Sequence, residues 1–241
     1  MLIIGTYNIQ NKYYLKKYNG IEGKQDNVKL LNELLEKYHL NILGTQEMTS
    51  WYLKRCQKFL KNYHIVGKYR YPNIILKKFN ETNSIITNYE IIKTKTLHLP
   101  FFPTITPRII TSALIKNKEG QEILFFNTHL SIGNSTVQKR QLNFIYKLLL
   151  TTKKPLILTG DFNMTIDNPN MKDFIHKLKK LDIARIPVLE KTYKNHTKEK
   201  AIDHIFISCH FELVKYQVIK DPIFHNSSDH YPIIAFLKIN N

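Results

Sequence analysis

Several things are scarce in this chain, and each shortage excludes a class of protein. Only two cysteines, Cys56 and Cys209, occur in 241 residues. That is too few for the disulfide framework of a small secreted domain, so both are expected as buried free thiols. Eight glycines and nine prolines leave no Gly/Ser-rich linker, no low-complexity tract and no internal repeat. Apolar runs are short, and none reaches the length that spans a bilayer. The opening MLIIGTYNIQNKYY has no basic segment ahead of its apolar run, so it reads as a first strand rather than a secretion signal. A cytoplasmic monomer is the expectation. Acidic residues are also few: 19 against 36 lysines and arginines, a formal charge of +17. Such an excess attracts nucleic acid through counterion release or anionic lipid through surface potential. The abundance of Lys, Asn and Ile fits the codon bias of an AT-rich genome equally well.

What is present is core-forming material. Hydrophobic residues make up 43% of the sequence and aromatics 12%, spread over a length that suits one large domain covering 1–241. Strand signals recur at 2–9, 41–47, 64–69, 84–88, 109–116, 122–130, 155–162, 202–208 and 231–239, short segments rich in Ile, Val, Phe and Thr. Helical spacing marks 27–40, 50–63, 137–150 and 170–181, with Asp26 before the first helix and Ser135 and Thr136 before the third, where N-caps belong. Many strands and a few helices without strict alternation predict an α/β fold: two packed β-sheets with helices outside them.

Polar residues gather where these strands end. Asn8 closes the first, Glu47 follows ILGTQ, His129 closes LFFNTH, and Asp161 and Asn163 close LILTGDFN. Asp203 and His204 open IDHIFIS, and Asp229 and His230 precede the last strand. Singly, each has a plain structural explanation, such as an Asx-turn at Asp161. Together, oxygen ligands and histidines ending separate strands are what a hydrolytic site built on a hard metal ion requires.

The blocks TYNIQ, GTQE, NTHL, GDFN, IDHIFIS and SDHYPI, in this order from residue 6 to residue 234, resemble the motif series of the endonuclease/exonuclease/phosphatase superfamily, the DNase I-like metal-dependent phosphodiesterases. The resemblance implies a four-layer α/β sandwich with two central, mainly antiparallel sheets flanked by helices. It also implies roles. Asp161 and Asn163 would hold the attacking water and the phosphate, with Phe162 pointing into the core. Glu47 and Asp229, with Asn8 nearby, would supply oxygens to Mg2+ or Mn2+. His230 would be the base, oriented by Asp203, and His129 would donate to the phosphate or leaving oxygen, supported by Glu81. Arg108 would contact phosphate, and His204 would have no chemical role. A histidine in NTHL is unlike the AP-endonuclease branch and similar to the DNase I, sphingomyelinase and phosphatase-like branches. The expected activity is phosphodiester hydrolysis, first of nucleic acid, with Tyr69 and Tyr71 in the basic stretch 51–72 packing on sugars or bases. The alternatives are a small or lipid phosphoester substrate, of the sphingomyelinase or inositol-phosphatase kind, and a non-catalytic basic binding module.

Overall fold

Period-two alternation in the strands decides the architecture. The computed structural model describes residues 1–10, 27–71, 80–194, 199–225 and 227–240. The elements run β1 (Leu2–Asn8), α1 (Asn27–Lys37), β2 (Ile42–Thr49), α2 (Ser50–Phe59), β3 (His64–Val66), β4 (Glu81–Thr87), β5 (Glu90–Leu99), β6 (Arg108–Lys116) and β7 (Glu122–His129). They continue α3 (Ser135–Leu149), β8 (Leu156–Asp161), α4 (Pro169–Lys179), β9 (Ile183–Arg185), β10 (Tyr193–Lys194), β11 (Glu199–Lys200), β12 (Asp203–Ser208), β13 (Phe211–Val218), α5 (Pro222–His225) and β14 (Ile233–Ile239).

One six-stranded sheet has the order β13-β14-β1-β2-β4-β3 and the other β5-β6-β7-β8-β12-β9; β10 and β11 form a separate small hairpin. Pairing is antiparallel except at β1–β2 and β7–β8, which are parallel. Alternate residues of both sheets meet in a central core that includes Ile4, Ile42, Ile85, Phe125, Ile157, Ile205 and Ile233. The opposite face of the first sheet packs on Leu31, Leu34 and Leu35 of α1 and Cys56 of α2. The opposite face of the second packs on Leu142 and Ile145 of α3 and Phe174 of α4. The result is helix, sheet, sheet, helix: the four-layer sandwich the motifs implied.

Along the inward face the residues change from apolar to polar to ionisable toward one end. Ile4, Thr6 and Asn8 do so on β1, Phe125, Asn127 and His129 on β7, and Ile157, Thr159 and Asp161 on β8. On antiparallel β12 the order reverses, from Ile207 back to Asp203. Midway, a buried polar layer joins the sheets: Gln46 Nε2 donates to Asn127 Oδ1 at 2.6 Å and Thr6 Oγ1 at 3.1 Å, and Asn127 Nδ2 donates to the Thr45 and Ser84 carbonyls, each at 2.8 Å. Gly44 permits this closeness, since a Cβ there would lie 2.5 Å from Thr159 Oγ1.

Differences from the sequence reading have local causes. The strand expected over 64–69 is interrupted after Val66 at Gly67, whose φ is +150°, and pairing with β4 resumes as a single bridge between Tyr69 and Thr82. Strands β5 and β13 escaped notice because they are sheet edges, largely exposed and lysine-bearing, as edges that avoid pairing with other chains tend to be. The cap of α3 is Asn134, whose side chain accepts from the Val137 amide, rather than Ser135 or Thr136; Asp26 lies outside the described residues. Cys56 is buried but Cys209 is exposed, and both are free thiols. The basic stretch 51–72 is largely accounted for by α2, which buries Tyr52, Leu53 and Cys56, and by Tyr69, which packs beside the same core. Among the described residues no helix is long and apolar enough to cross a membrane.

Candidate active site

Three neighbouring strands deliver the centre of the site. His129 pairs in register with Asp161 across β7–β8, and Asp161 with Asp203 across β8–β12, so these side chains form one row at the polar end of the interlayer. Gly160 is required just before Asp161: its φ is +154°, and a Cβ would lie 2.2 Å from the Thr128 carbonyl oxygen.

Asp161 Oδ2 is where the groups converge. Asn8 Nδ2 donates to it at 3.0 Å, while His129 Nε2 and His230 Nε2 stand 3.5 and 3.6 Å away. The other oxygen, Oδ1, accepts from the Asn163 amide at 2.9 Å, an Asx-turn in which Asn163 takes a φ of +54°. The strand therefore ends at Asp161. Asn163 comes to the site through this turn, and its Nδ2 donates to the Leu130 carbonyl at 2.9 Å. Phe162 is fully buried against Phe174 and Phe206, as alternation required.

His230 is gripped from behind. Its Nδ1 lies 2.8 Å from Asp203 Oδ2, which also accepts from the Thr192 hydroxyl at 2.6 Å. The Tyr193 ring lies against the imidazole, centroids 5.0 Å apart, and Ser228 Oγ accepts from the His230 amide at 3.0 Å while donating to the Asn8 carbonyl. Burial opposes a charged imidazole here, but Asp203, Asp161 and Asp229 outweigh it and push His230 up to about 10. Burial also raises Asp161 above the ordinary carboxylate range, with the His230 charge pulling the other way.

His129 is set up in the opposite sense. Its Nδ1 faces Arg108 Nη1 at 3.0 Å, and burial, then Arg108 and Arg70, hold it well below the usual histidine range. Glu81 was the expected support for this histidine. The structure places Glu81 with Arg70 at 2.8 Å instead, leaving the nearest charged partner of His129 Nδ1 a cation rather than a carboxylate. Arg108 is itself only 9% exposed and reaches the imidazole through Nη1.

Beside this centre lie Glu47 and Asp229. Glu47 sits at a register shift between β2 and β4 and takes a φ of +61°, a local distortion of the kind that re-aims a side chain. Asp229 is about one-third exposed. Burial holds it above the ordinary carboxylate range, and Glu47 adds to that. Two hard carboxylates with mutually unfavourable charge, both partly open to solvent, could hold a divalent cation. Asn8 was expected to add an oxygen to this set. Its amide nitrogen instead bridges Glu47 Oε1 at 3.2 Å and Asp161 Oδ2, while Oδ1 accepts from the Gln10 amide; it links Glu47 to the central carboxylate. Asp161, Asp203 and His230 also place ligand-type atoms within 4.8 Å of one another, with Asp203 Oδ2 and His230 Nδ1 bonded to each other and Asp203 Oδ1 buried without a hydrogen-bond partner. His204 faces the other side of β12, where Nε2 meets the Met164 carbonyl at 2.8 Å among Phe162 and Phe206.

Thr192, Tyr193, Ser228 and Gln10 were not singled out in sequence. Ser228 lies inside the SSDH block and was within reach of motif reading. Thr192 precedes Asp203 by a hairpin and carries no local signature.

The sequence profile described as the Endonuclease/Exonuclease/phosphatase family matches residues 5–230. No curated protein matches the sequence. Among solved structures, the chain is similar to the mannosyl-6-phosphatase of Bacteroides thetaiotaomicron, at 22% identity and a TM-score of 0.80 over 99% of this chain and 100% of that one. It is similar to an endonuclease/exonuclease/phosphatase family protein of the same organism, at 22% identity and a TM-score of 0.84 over 100% and 98%. It also resembles the human Nocturnin catalytic domain with bound sulfate, at 17% identity and a TM-score of 0.78 over 99% and 94%.

Proposed function

Because the chain belongs to the endonuclease/exonuclease/phosphatase family, we propose that it hydrolyses phosphodiester bonds with Mg2+ or Mn2+, and that its substrate is nucleic acid. The observation that carries the reading is the convergence of two differently held histidines on Asp161 Oδ2, at 3.5 and 3.6 Å, beside the Glu47–Asp229 pair. One carboxylate is thus placed to orient water, and two others remain for a cation.

In this reading Asp161, fixed by Asn8 and the Asn163 amide, orients the attacking water. His230 takes the water's proton only from its neutral form. The carboxylates around it favour the imidazolium until part of their charge is neutralised. Asp203, steadied by Thr192, keeps the Nδ1 proton in place so that Nε2 is the accepting atom. Asn8 ties Glu47 to Asp161 through its amide nitrogen. Glu47 and Asp229 would hold a divalent cation, which would supply charge neutralisation for the phosphate and the departing alkoxide.

Support for nucleic acid comes from the charge of +17 and from the rim. There Lys194 lies 4.3 Å over the Tyr231 ring, Lys220 is near the same ring, and Tyr193 covers His230, an interleaving of cations and aromatics suited to a phosphate backbone. A second reading, a small phosphomonoester substrate, is favoured by the full-length likeness to a mannosyl-6-phosphatase. The deciding experiment offers purified protein with Mg2+ or Mn2+ plasmid DNA, RNA, sugar phosphates, inositol phosphates and sphingomyelin. Cleavage of DNA or RNA above the other substrates is expected. Turnover of sugar phosphates alone would replace the nucleic-acid reading with the second, and no turnover of any would overturn both.

A further inference from the structure

The two histidines at Asp161 are held through the same ring atom by partners of opposite kind. His230 Nδ1 meets a carboxylate, Asp203, at 2.8 Å, and His129 Nδ1 meets a guanidinium, Arg108, at 3.0 Å. A carboxylate accepts a hydrogen, so it keeps the proton on Nδ1. A guanidinium has donors and no acceptor, so the nitrogen facing it must be bare. His129 therefore carries its single hydrogen on Nε2, the atom facing Asp161 Oδ2 at 3.5 Å. A second proton would have to sit on Nδ1 against the Arg108 N–H, in a place where the imidazole is 3% and the arginine 9% exposed.

We infer that Arg108 is a positioning residue that fixes His129 as its neutral Nε2–H tautomer, so that His129 serves the phosphoester as a hydrogen-bond donor and not as the source of the leaving-group proton. Giving up the Nε2 hydrogen from this state would leave an imidazolate, a species with no place at neutral pH. Neighbours agree with the assignment: Arg70 is the second cation near His129, and burial favours its neutral form. One of the five Arg108 N–H donors is committed to His129 through Nη1, and Nε is buried without a partner. The inference rests on the proposed hydrolysis only for its consequence; the tautomer itself is a property of the free protein.

The test is long-range proton–nitrogen NMR on the full chain labelled with 15N-histidine, at neutral pH and without substrate, the His129 signals being assigned by their loss in His129→Gln. Expected are a pyridine-type resonance at Nδ1 and a pyrrole-type resonance at Nε2. In Arg108→Met the pyridine-type signal should move toward the protonated position, with kcat down on the order of 10-fold and KM within about twofold, given that a whole lost anion-stabilising donor costs ~10²–10³-fold. Arg108→Lys, which keeps a donor, should restore the tautomer and part of kcat. His129→Gln, which keeps an N–H where Nε2 was, should retain more activity than His129→Ala. A doubly protonated or Nδ1–H His129 in the unmodified protein would overturn the inference. So would an Arg108→Met variant that raises KM, spares kcat and leaves the spectrum unchanged. If Arg108→Met does not fold, the unmodified spectrum and Arg108→Lys still decide. A locked tautomer in a protein that hydrolyses no phosphoester would uphold the positioning and refute the proposed function. Hydrolysis by a protein whose His129 is an imidazolium would do the reverse.

Discussion

Replacing Thr192 with valine keeps nearly the same shape and removes one hydroxyl, and its effect can be worked out bond by bond. The hydroxyl donates to Asp203 Oδ2 at 2.6 Å and accepts from the Ile202 and Asp203 amides, each at 3.2 Å. Asp203 Oδ1 is already buried without a hydrogen-bond partner, so the valine variant would leave His230 Nδ1 as the main restraint on this carboxylate. A hydrogen bond to a buried charge is worth about 1.5–3 kcal/mol, and the two amides lose an acceptor as well. The expected loss is about 3 kcal/mol in urea unfolding followed by circular dichroism. Activity should fall on the order of 10-fold in kcat, the scale on which orienting partners of an active group act. Thr192→Ser, which keeps the hydroxyl, should recover most of both. A valine variant within about 0.5 kcal/mol of the parent and equal to it in kcat would show that Asp203 needs no help, and the chain from Thr192 to His230 would fall.

Other perturbations probe other layers. Burial pushes His204 down to about 4, with its Nδ1 unpartnered; the unfolded chain takes up its proton first, so stability should fall as pH drops from about 6.5 to about 4, by up to ~3 kcal/mol. Relative to the parent, His204→Phe should lose that dependence over this window in pH-resolved unfolding, and an unchanged difference would refute the assignment. Gly44→Ala would place a methyl 2.5 Å from Thr159 Oγ1 and 2.8 Å from Asn127; a loss of about 1–3 kcal/mol in the same assay is expected, and none would mean the sheets can part there. Binding of DNA or RNA, followed by fluorescence anisotropy, should weaken steeply between low and physiological salt, whereas salt-independent binding would speak against a backbone-tracking surface.

The fold was legible because its strands alternate cleanly: Ile157, Thr159 and Asp161 on one face of β8, with Leu156, Leu158 and Phe162 packed on the other side. Side-chain type at strand ends announced the site, since buried aspartate and histidine at the end of apolar runs call for a chemical reason. Partnership was not legible. Arg108 and His129, or Thr192 and Asp203, meet only through the pairing of strands and the hairpin around β10 and β11, and no spacing rule reveals which carboxylate or cation a given ring nitrogen will face. The same holds for Asn8, whose amide can present either oxygen or nitrogen until its neighbours Glu47, Asp161 and Gln10 are in place. Edge strands hid for another reason: exposure on both faces blurs the alternation by which inner strands are recognised.

The central claim is that Asp161, at the meeting point of both histidines, is the pivot of a cation-dependent hydrolysis. The most direct measurement is the initial rate of phosphodiester hydrolysis with Mg2+, with Mn2+ and with excess EDTA, for the parent and for Asp161→Asn. The account predicts turnover with either cation, none with EDTA, and a loss of at least ~10²-fold in the asparagine variant. Undiminished rates in EDTA, or an asparagine variant as fast as the parent, would contradict it.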